Sequence, residues 1–534
     1  MSLEFDTLIK SGRILDGTGN PWYVADIGIK KGQITRIQKE IHPQLARLII
    51  DANGLTVSPG FIDTHSHDDV YLLMNPQCDE KILQGVTTNV VGNCGITISP
   101  RSPEHRDDSF IGMMCGQHIN ADELRIKTFD DYLSKLEALN PGINVLSLVG
   151  HSTVRIAAMG ATDRAPSDNE MKEMKALVEH AMEEGAFGLS TGLIYAPGNY
   201  ATTEEILELA KTASRYQGIY ATHMRSEGDA ELAAIGETVH IGREASIHVH
   251  ISHHKVLGKQ NWGKSVNTLK MMAEARDHGV QVTCDQYPYR AGSTFLAALL
   301  PPAVLDGGPE IFSKKLKDRG FRAQVVETIE KGADGGWENL IKGAGFEGIM
   351  ISVSRHNDYI GKSVRDIAAM ENMSPYDVIF DLVVEEGRGC IIILFMMDEA
   401  DIIRIMQNPW TMIATDGIPG FGKKKVHPRM SGTFPRVLGR YVREQGVLTI
   451  EQAIRKMTSL PAQTFGVRGK GLLLEGFDAD VVIFDPATIL DKATYEEPNQ
   501  GPVGIYYVLV NGEIAAEDGK VKGAGSGKVL RHEK

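Results

Sequence analysis

Phe61-Ile62-Asp63-Thr64-His65-Ser66-His67-Asp68-Asp69 is where a short apolar run ends in two histidines spaced i, i+2. It follows Leu55-Thr56-Val57-Ser58-Pro59-Gly60, which supplies the apolar approach and a break. Residues two apart on an extended segment point to the same face. A His-x-His at a strand end therefore aims two imidazoles at one point, which is what a metal ion needs. Two solvated loop histidines would show the same spacing, so only matching ligands elsewhere in the chain decide between the two.

From Val57 onward, short apolar runs alternate with helical patterns. The runs fall at residues 60–64, 87–91, 144–149, 187–190, 219–222, 246–251, 280–284 and 411–415. Helical patterns lie between several of them, at 167–184, 203–216 and 267–278, with Thr203 as an N-cap followed by acids. Eight such runs predict a parallel (β/α)8 TIM-like barrel rather than an open doubly wound sheet. Most are apolar throughout, as strands buried on both faces are.

Both ends of the chain read differently. Residues 1–57 and 462–534 carry short strand patterns with turns, including an Asn511-Gly512 hairpin signal. They predict a small β-sandwich domain built from both termini, flanking a barrel at 58–461. Residues 287–347, with Trp337 and a helical pattern at 314–331, predict an inserted subdomain near the active site, placed as a lid.

Composition narrows the function classes. The 534 residues are 42% hydrophobic and 23% charged, as in ordinary globular proteins. A net charge of −13 argues against nucleic-acid binding, which needs a basic face, and leaves a small-molecule substrate as the expected partner. No apolar run is long enough to span a membrane, and nothing at the N-terminus resembles a signal peptide. The five cysteines (Cys78, Cys94, Cys115, Cys284, Cys390) are odd in number and without paired spacing. That is the usage of a reducing compartment, so a cytoplasmic location is expected.

In a parallel barrel the functional groups come from the C-terminal ends of strands. The first ends in His65 and His67, and the second in Asn93-Cys94-Gly95. The fifth ends in Thr222-His223-Met224-Arg225, the sixth in Ser252-His253-His254-Lys255 and the eighth in Thr415-Asp416-Gly417. Imidazole, thiolate and carboxylate together suit zinc, the thiolate favouring it over magnesium or calcium. A catalytic zinc keeps a position open for water, and Asp416 is the natural general base beside it. His248, His250 and His254 lie at the opposite strand parity from His253, so they are expected to point away from the metal. His151, ending the third run, is expected to be structural.

Nearly the whole chain resembles the amidohydrolase superfamily, and within it the D-aminoacylase (N-acyl-D-amino-acid deacylase) family. The resemblance is carried by 59–67, Gly92-Asn93-Cys94-Gly95, Gly188-Leu189-Ser190-Thr191-Gly192-Leu193, Ile251-Ser252-His253-His254-Lys255, His427-Pro428-Arg429 and Gly476-Phe477-Asp478-Ala479-Asp480-Val481-Val482. It implies a tight zinc held by Cys94, His223 and His253, and a second, weaker site at His65, His67 and Asp416. Where many superfamily members place a carboxylated lysine, this chain has Ser190-Thr191, and the resemblance implies that Cys94 bridges instead. It further implies that Arg429, Lys255 and Tyr195 meet a substrate α-carboxylate, and that Ser293 and Arg290 contact the amino-acid side chain. The apolar run 295–300 favours a hydrophobic side chain, while Arg290 keeps an acidic one open. The implied reaction is zinc-dependent hydrolysis of an N-acyl-D-amino acid. A cyclic-amide hydrolase, a deaminase, and an inactive scaffold barrel are the rival readings of the same scaffold.

Overall fold

All eight apolar runs become parallel barrel strands in a computed structural model that describes residues 3–102, 104–105, 124–332, 337–420 and 425–533. Cys115 and four residues of the expected insertion lie outside those described. The strands are Phe61–Asp63, Val86–Val91, Asn144–Ser147 resuming as Val149–Gly150, Gly188–Gly192, Ile219–His223, His248–Ile251, Val282–Gln286 and Thr411–Ile413. Successive strands pair in parallel, and the seventh pairs with the eighth across the long insertion, Cys284 opposite Thr411. The ring closes between the eighth and first strands. There Asp416 N–H donates to His65 O at 2.8 Å and His67 N–H donates to Gly417 O at 3.0 Å. The seam of the barrel is thus made by the main chain of expected ligands.

Beneath the seam, Ile62, Val90, Leu146 and Ala221 share a core with Ala462 and Phe465 from the helix Ser459–Phe465. That helix plugs the N-terminal end of the barrel. Outside, the helix Asp168–Glu183 starts at a capping box in which Ser167 and Glu170 exchange side-chain and main-chain bonds. The helix Thr203–Ser214 is capped by Thr202, one residue earlier than its sequence pattern suggests, because Thr202 is still extended and its hydroxyl accepts from Glu205 N–H.

The chain ends combine in one nine-stranded sheet. Val481–Phe484 pairs antiparallel with Thr56–Pro59, the strand that leads into the first barrel strand. Ile9, Ile27, Ile50 and Val57 from one end and Val481, Ile483 and Leu509 from the other share its core. The final residues then leave the sheet: Leu530 N–H donates to Val145 O and His532 N–H to Gly185 O, under the barrel.

Between the seventh and eighth barrel strands, Ala291–Phe295, Ile391–Phe395 and Ile349–Val353 form a three-stranded antiparallel sheet with Ile391–Phe395 in the middle. Because the middle strand lies so late, this unit continues well past residue 347. Among the described residues no helix is long and apolar enough to cross a membrane.

Candidate metal centre

Cys94 lies at the middle of the converging ligands. Its Sγ is 3.3 Å from His65 Nε2, 3.4 Å from His253 Nε2 and 3.7 Å from His223 Nδ1. Asp416 Oδ1 is 3.3 Å from His67 Nε2 and 3.6 Å from His65 Nε2. Zinc bonds of about 2.0–2.3 Å in a tetrahedron place donor atoms about 3.3–3.8 Å apart. The observed separations gather His65, Cys94 and His253 about one point and His65, His67 and Asp416 about another, with His223 Nδ1 3.7 Å from Cys94 Sγ. All six side chains are buried. Burial pushes the Cys94 thiol well above its ordinary pKa, whereas a coordinated metal deprotonates a thiol outright. Burial also holds His65 and His223 well below the usual imidazole range, so each is neutral and carries a lone pair.

The backbone bends sharply to achieve this convergence. Cys94, His253 and Asp416 have positive φ values of 52°, 36° and 47°. For non-glycine residues this costs on the order of 1–3 kcal/mol each, a strain concentrated at functional sites. It also corrects the parity expectation for the sixth strand. His250 points into the barrel, its Nε2 2.8 Å from Asp285 Oδ2. His253 reaches the centre because the strand stops at Ile251 and the chain turns left-handed at His253. His254 does face away, towards Thr268 Oγ1 at 2.9 Å. His151 is structural, its Nε2 2.8 Å from Glu205, which also pairs with buried Arg155.

Two acids that sequence reasoning missed support the ligands. Asp285 accepts from Thr64 Oγ1 at 2.9 Å and from His253 N–H at 2.5 Å, and lies 3.8 Å from His65 Nδ1. Glu227 Oε1 lies 3.0 Å from His253 Nδ1 and 2.5 Å from Lys255 Nζ. Burial alone would raise the pKa of Glu227. Lys255, His223 and His253 outweigh it and hold the carboxylate well below its ordinary range. The signals were present: an acid inside the apolar strand Val282–Gln286, and an acid four residues after His223.

Two small cavities, about 50 and 30 Å³, open over the centre. Tyr195, Lys255, Ser293 and Thr294 line them beside apolar Ile96, Leu340, Leu394 and Met396. Tyr195 packs its ring 5.0 Å from both His223 and Phe295. Arg429 lies one layer back: NH1 is 2.8 Å from Asp416 Oδ2, NH2 donates to Ser293 O, and the guanidinium stacks over Tyr287 at 4.5 Å. Burial would raise the Asp416 pKa, but Arg429 first, then His253, holds it well below the ordinary range. Arg290 is not brought to the site. It precedes the strand Ala291–Phe295, its carbonyl accepts from Met397 N–H, and its side chain is exposed at the edge, lining neither cavity.

The amidohydrolase family model matches residues 48–516. A D-aminoacylase from Alcaligenes xylosoxydans xylosoxydans is 39% identical over 99% of this chain and 98% of its own. A solved D-aminoacylase with a binuclear metal centre superposes with a TM-score of 0.84 at 38% identity, covering 99% of this chain and 100% of that one. An N-acyl-D-glutamate deacylase from Bordetella bronchiseptica, solved with zinc and a phosphonate mimic of the tetrahedral intermediate, gives 0.83 at 37% over the same shares. The chain belongs to the amidohydrolase family, in its D-aminoacylase (N-acyl-D-amino-acid deacylase) branch.

Proposed function

We propose that this protein is a zinc-dependent amidase that cleaves N-acyl-D-amino acids to a D-amino acid and a carboxylate. The observation that carries this reading is the convergence of His65, His223 and His253 on Cys94 within 3.7 Å, and of His65 and His67 on Asp416 within 3.6 Å, under a cavity with Lys255 in its wall. Cys94, His223 and His253 hold the tight zinc, and His65, His67 and Asp416 a weaker second site. Zinc bound there supplies Lewis acidity, polarising a carbonyl and lowering the pKa of a water molecule towards neutrality.

The chain's own groups do the rest. Asp416 is ionised and oriented, with Oδ2 fixed by Arg429 and Oδ1 turned to the ligand histidines. It accepts a proton from the attacking water and returns it to the leaving nitrogen. Lys255 gives one donor to Glu227 and directs its remaining donors at the substrate α-carboxylate. Arg429 adds positive charge from behind Asp416, and Tyr195 and Ser293 border the acyl and side-chain space. With Arg290 outside, the apolar lining favours a hydrophobic D-amino acid over an acidic one. The D preference follows the relatives, since no residue type encodes chirality. We further assign the terminal sheet, nominally 1–57 and 462–534, to support, 58–461 to the chemistry and the insertion beginning at 287 to cover. Free, buried Cys78, Cys94, Cys284 and Cys390 favour the cytoplasm.

Purified zinc-supplied protein given racemic N-acetylmethionine, N-acetylleucine and N-acetylglutamate tests this, with free amino acids resolved on a chiral column. Release of D-methionine and D-leucine ahead of D-glutamate is expected. No release from any of them with zinc bound would sink the substrate assignment.

A further inference from the structure

Glu227 sits on the loop Ser226-Glu227-Gly228-Asp229 between the fifth strand and the helix Glu231–Ala245. The loop is tightly held. Glu338 of the insertion accepts from Glu227 N–H at 2.6 Å and from Ser226 Oγ at 2.8 Å, and Ser226 Oγ accepts from the N–H groups of Gly228 and Ala230. Glu227 itself is buried and presents one oxygen to each of two histidines. Oε1 lies 3.0 Å from His253 Nδ1, and Oε2 faces His223 Nε2 at 3.5 Å, a nitrogen that has no hydrogen bond and no other acceptor.

The two imidazoles are used in opposite senses. His253 turns Nε2 to Cys94, whereas His223 turns Nδ1 to it. A neutral imidazole carries one N–H and one lone pair, and an ionised carboxylate only accepts. We infer that Glu227 is a positioning residue that selects Nδ1–H in His253 and Nε2–H in His223, so that both lone pairs face the point beside Cys94. This rests on the zinc reading above and adds to it the group that sets the tautomers of the tight site. Carboxylates that take the outer N–H of a ligand histidine fix its ring orientation and raise its basicity.

Lys255 completes the arrangement. Its Nζ is 2.7 Å from His253 Nδ1 and 2.5 Å from Glu227 Oε1. If Nζ donated to Nδ1, the His253 proton would move to Nε2 and block the lone pair aimed at Cys94. With the proton on Nδ1, the ammonium bonds Glu227 instead and neutralises it. The His223, Glu227 and His253 side chains also stand at ligand spacing, but the ammonium between them excludes a cation on that side.

The test compares wild type with Glu227→Gln and Glu338→Gln. Glutamine keeps the shape of Glu227 but offers one acceptor and one donor, so it cannot satisfy both outer N–H groups. Zinc affinity is read by competition with a chromophoric chelator, beside thermal unfolding of each protein. Glu227→Gln is expected to bind zinc about 10–100-fold more weakly, while Glu338→Gln, which alters only the loop anchor, retains wild-type affinity. Equal affinity in Glu227→Gln and wild type would overturn the inference. So would an equal loss in Glu338→Gln, because the loop's fold rather than the tautomers would then be responsible. Independently of the variants, long-range 1H–15N spectra of histidine-labelled, zinc-loaded wild type should show Nδ1–H for His253 and Nε2–H for His223. Either opposite tautomer refutes the inference even if Glu227→Gln fails to fold. A wild type that takes up no zinc defeats the functional reading itself.

Discussion

The two halves of the centre are built unequally. Around Cys94, His223 and His253 the outer histidine nitrogens face a single buried carboxylate, and Lys255 balances its charge. Around His65, His67 and Asp416 the support is looser. His65 Nδ1 is 3.8 Å from Asp285 with no hydrogen bond, and the side chains of His67 and Asp416 are 10% and 8% exposed to the cavity. In the first half His253 Nδ1 is bound to Glu227 and His223 Nε2 faces the same carboxylate at 3.5 Å without a hydrogen bond, a closer support than the 3.8 Å at His65, which suits an ion that stays. The second keeps Asp416 open to the cavity and ties its other oxygen to an arginine, which suits a group that exchanges protons.

Breaking the first half should cost most. Cys94→Ser is expected to abolish tight zinc uptake and bring turnover to background, measured by metal analysis and by amino-acid release. Asp416→Asn should reduce turnover about 10²–10⁴-fold yet retain the tight zinc. Near-normal turnover in that variant would remove Asp416 from the proton transfer. Arg429→Leu leaves the buried Asp416 carboxylate without its guanidinium, which for a buried pair costs about 3–5 kcal/mol. Denaturant unfolding should report that loss together with reduced turnover. His67→Asn sharpens the contrast: zinc titration should show the second, weaker uptake lost and the first unchanged. Arg290→Ala should do least, with stability within about 0.5 kcal/mol of wild type and unaltered side-chain preference. A shift in preference would bring Arg290 back to the substrate.

Much of the fold was legible because barrel strands buried on both faces leave short, largely apolar runs between helical patterns, and all eight were visible in that way. The residues gathered at the barrel mouth were legible for a related reason. Strand ends are where such a barrel carries its chemistry, and His65, Cys94, His223, His253 and Asp416 all follow apolar runs. Glu227 and Asp285 were passed over because an acid near or inside an apolar strand shows no partner until the fold supplies one. The extent of the sheet between the seventh and eighth strands was not legible, because its middle strand, Ile391–Phe395, pairs with segments far away in sequence.

By itself the sequence determined which residues stand at the barrel mouth, since a two-residue strand period and a break after it are local properties. Only the tertiary structure decided how they face one another. Closure of the eighth strand on the first brought Asp416 to His65 and His67, and a left-handed turn swung His253 inward past His250. The helix Arg429–Arg436, which follows the eighth strand, set Arg429 behind Asp416, and Arg290 stayed exposed just before the strand Ala291–Phe295. These outcomes depend on angles and separations between elements hundreds of residues apart, which the order of side chains along one strand does not encode.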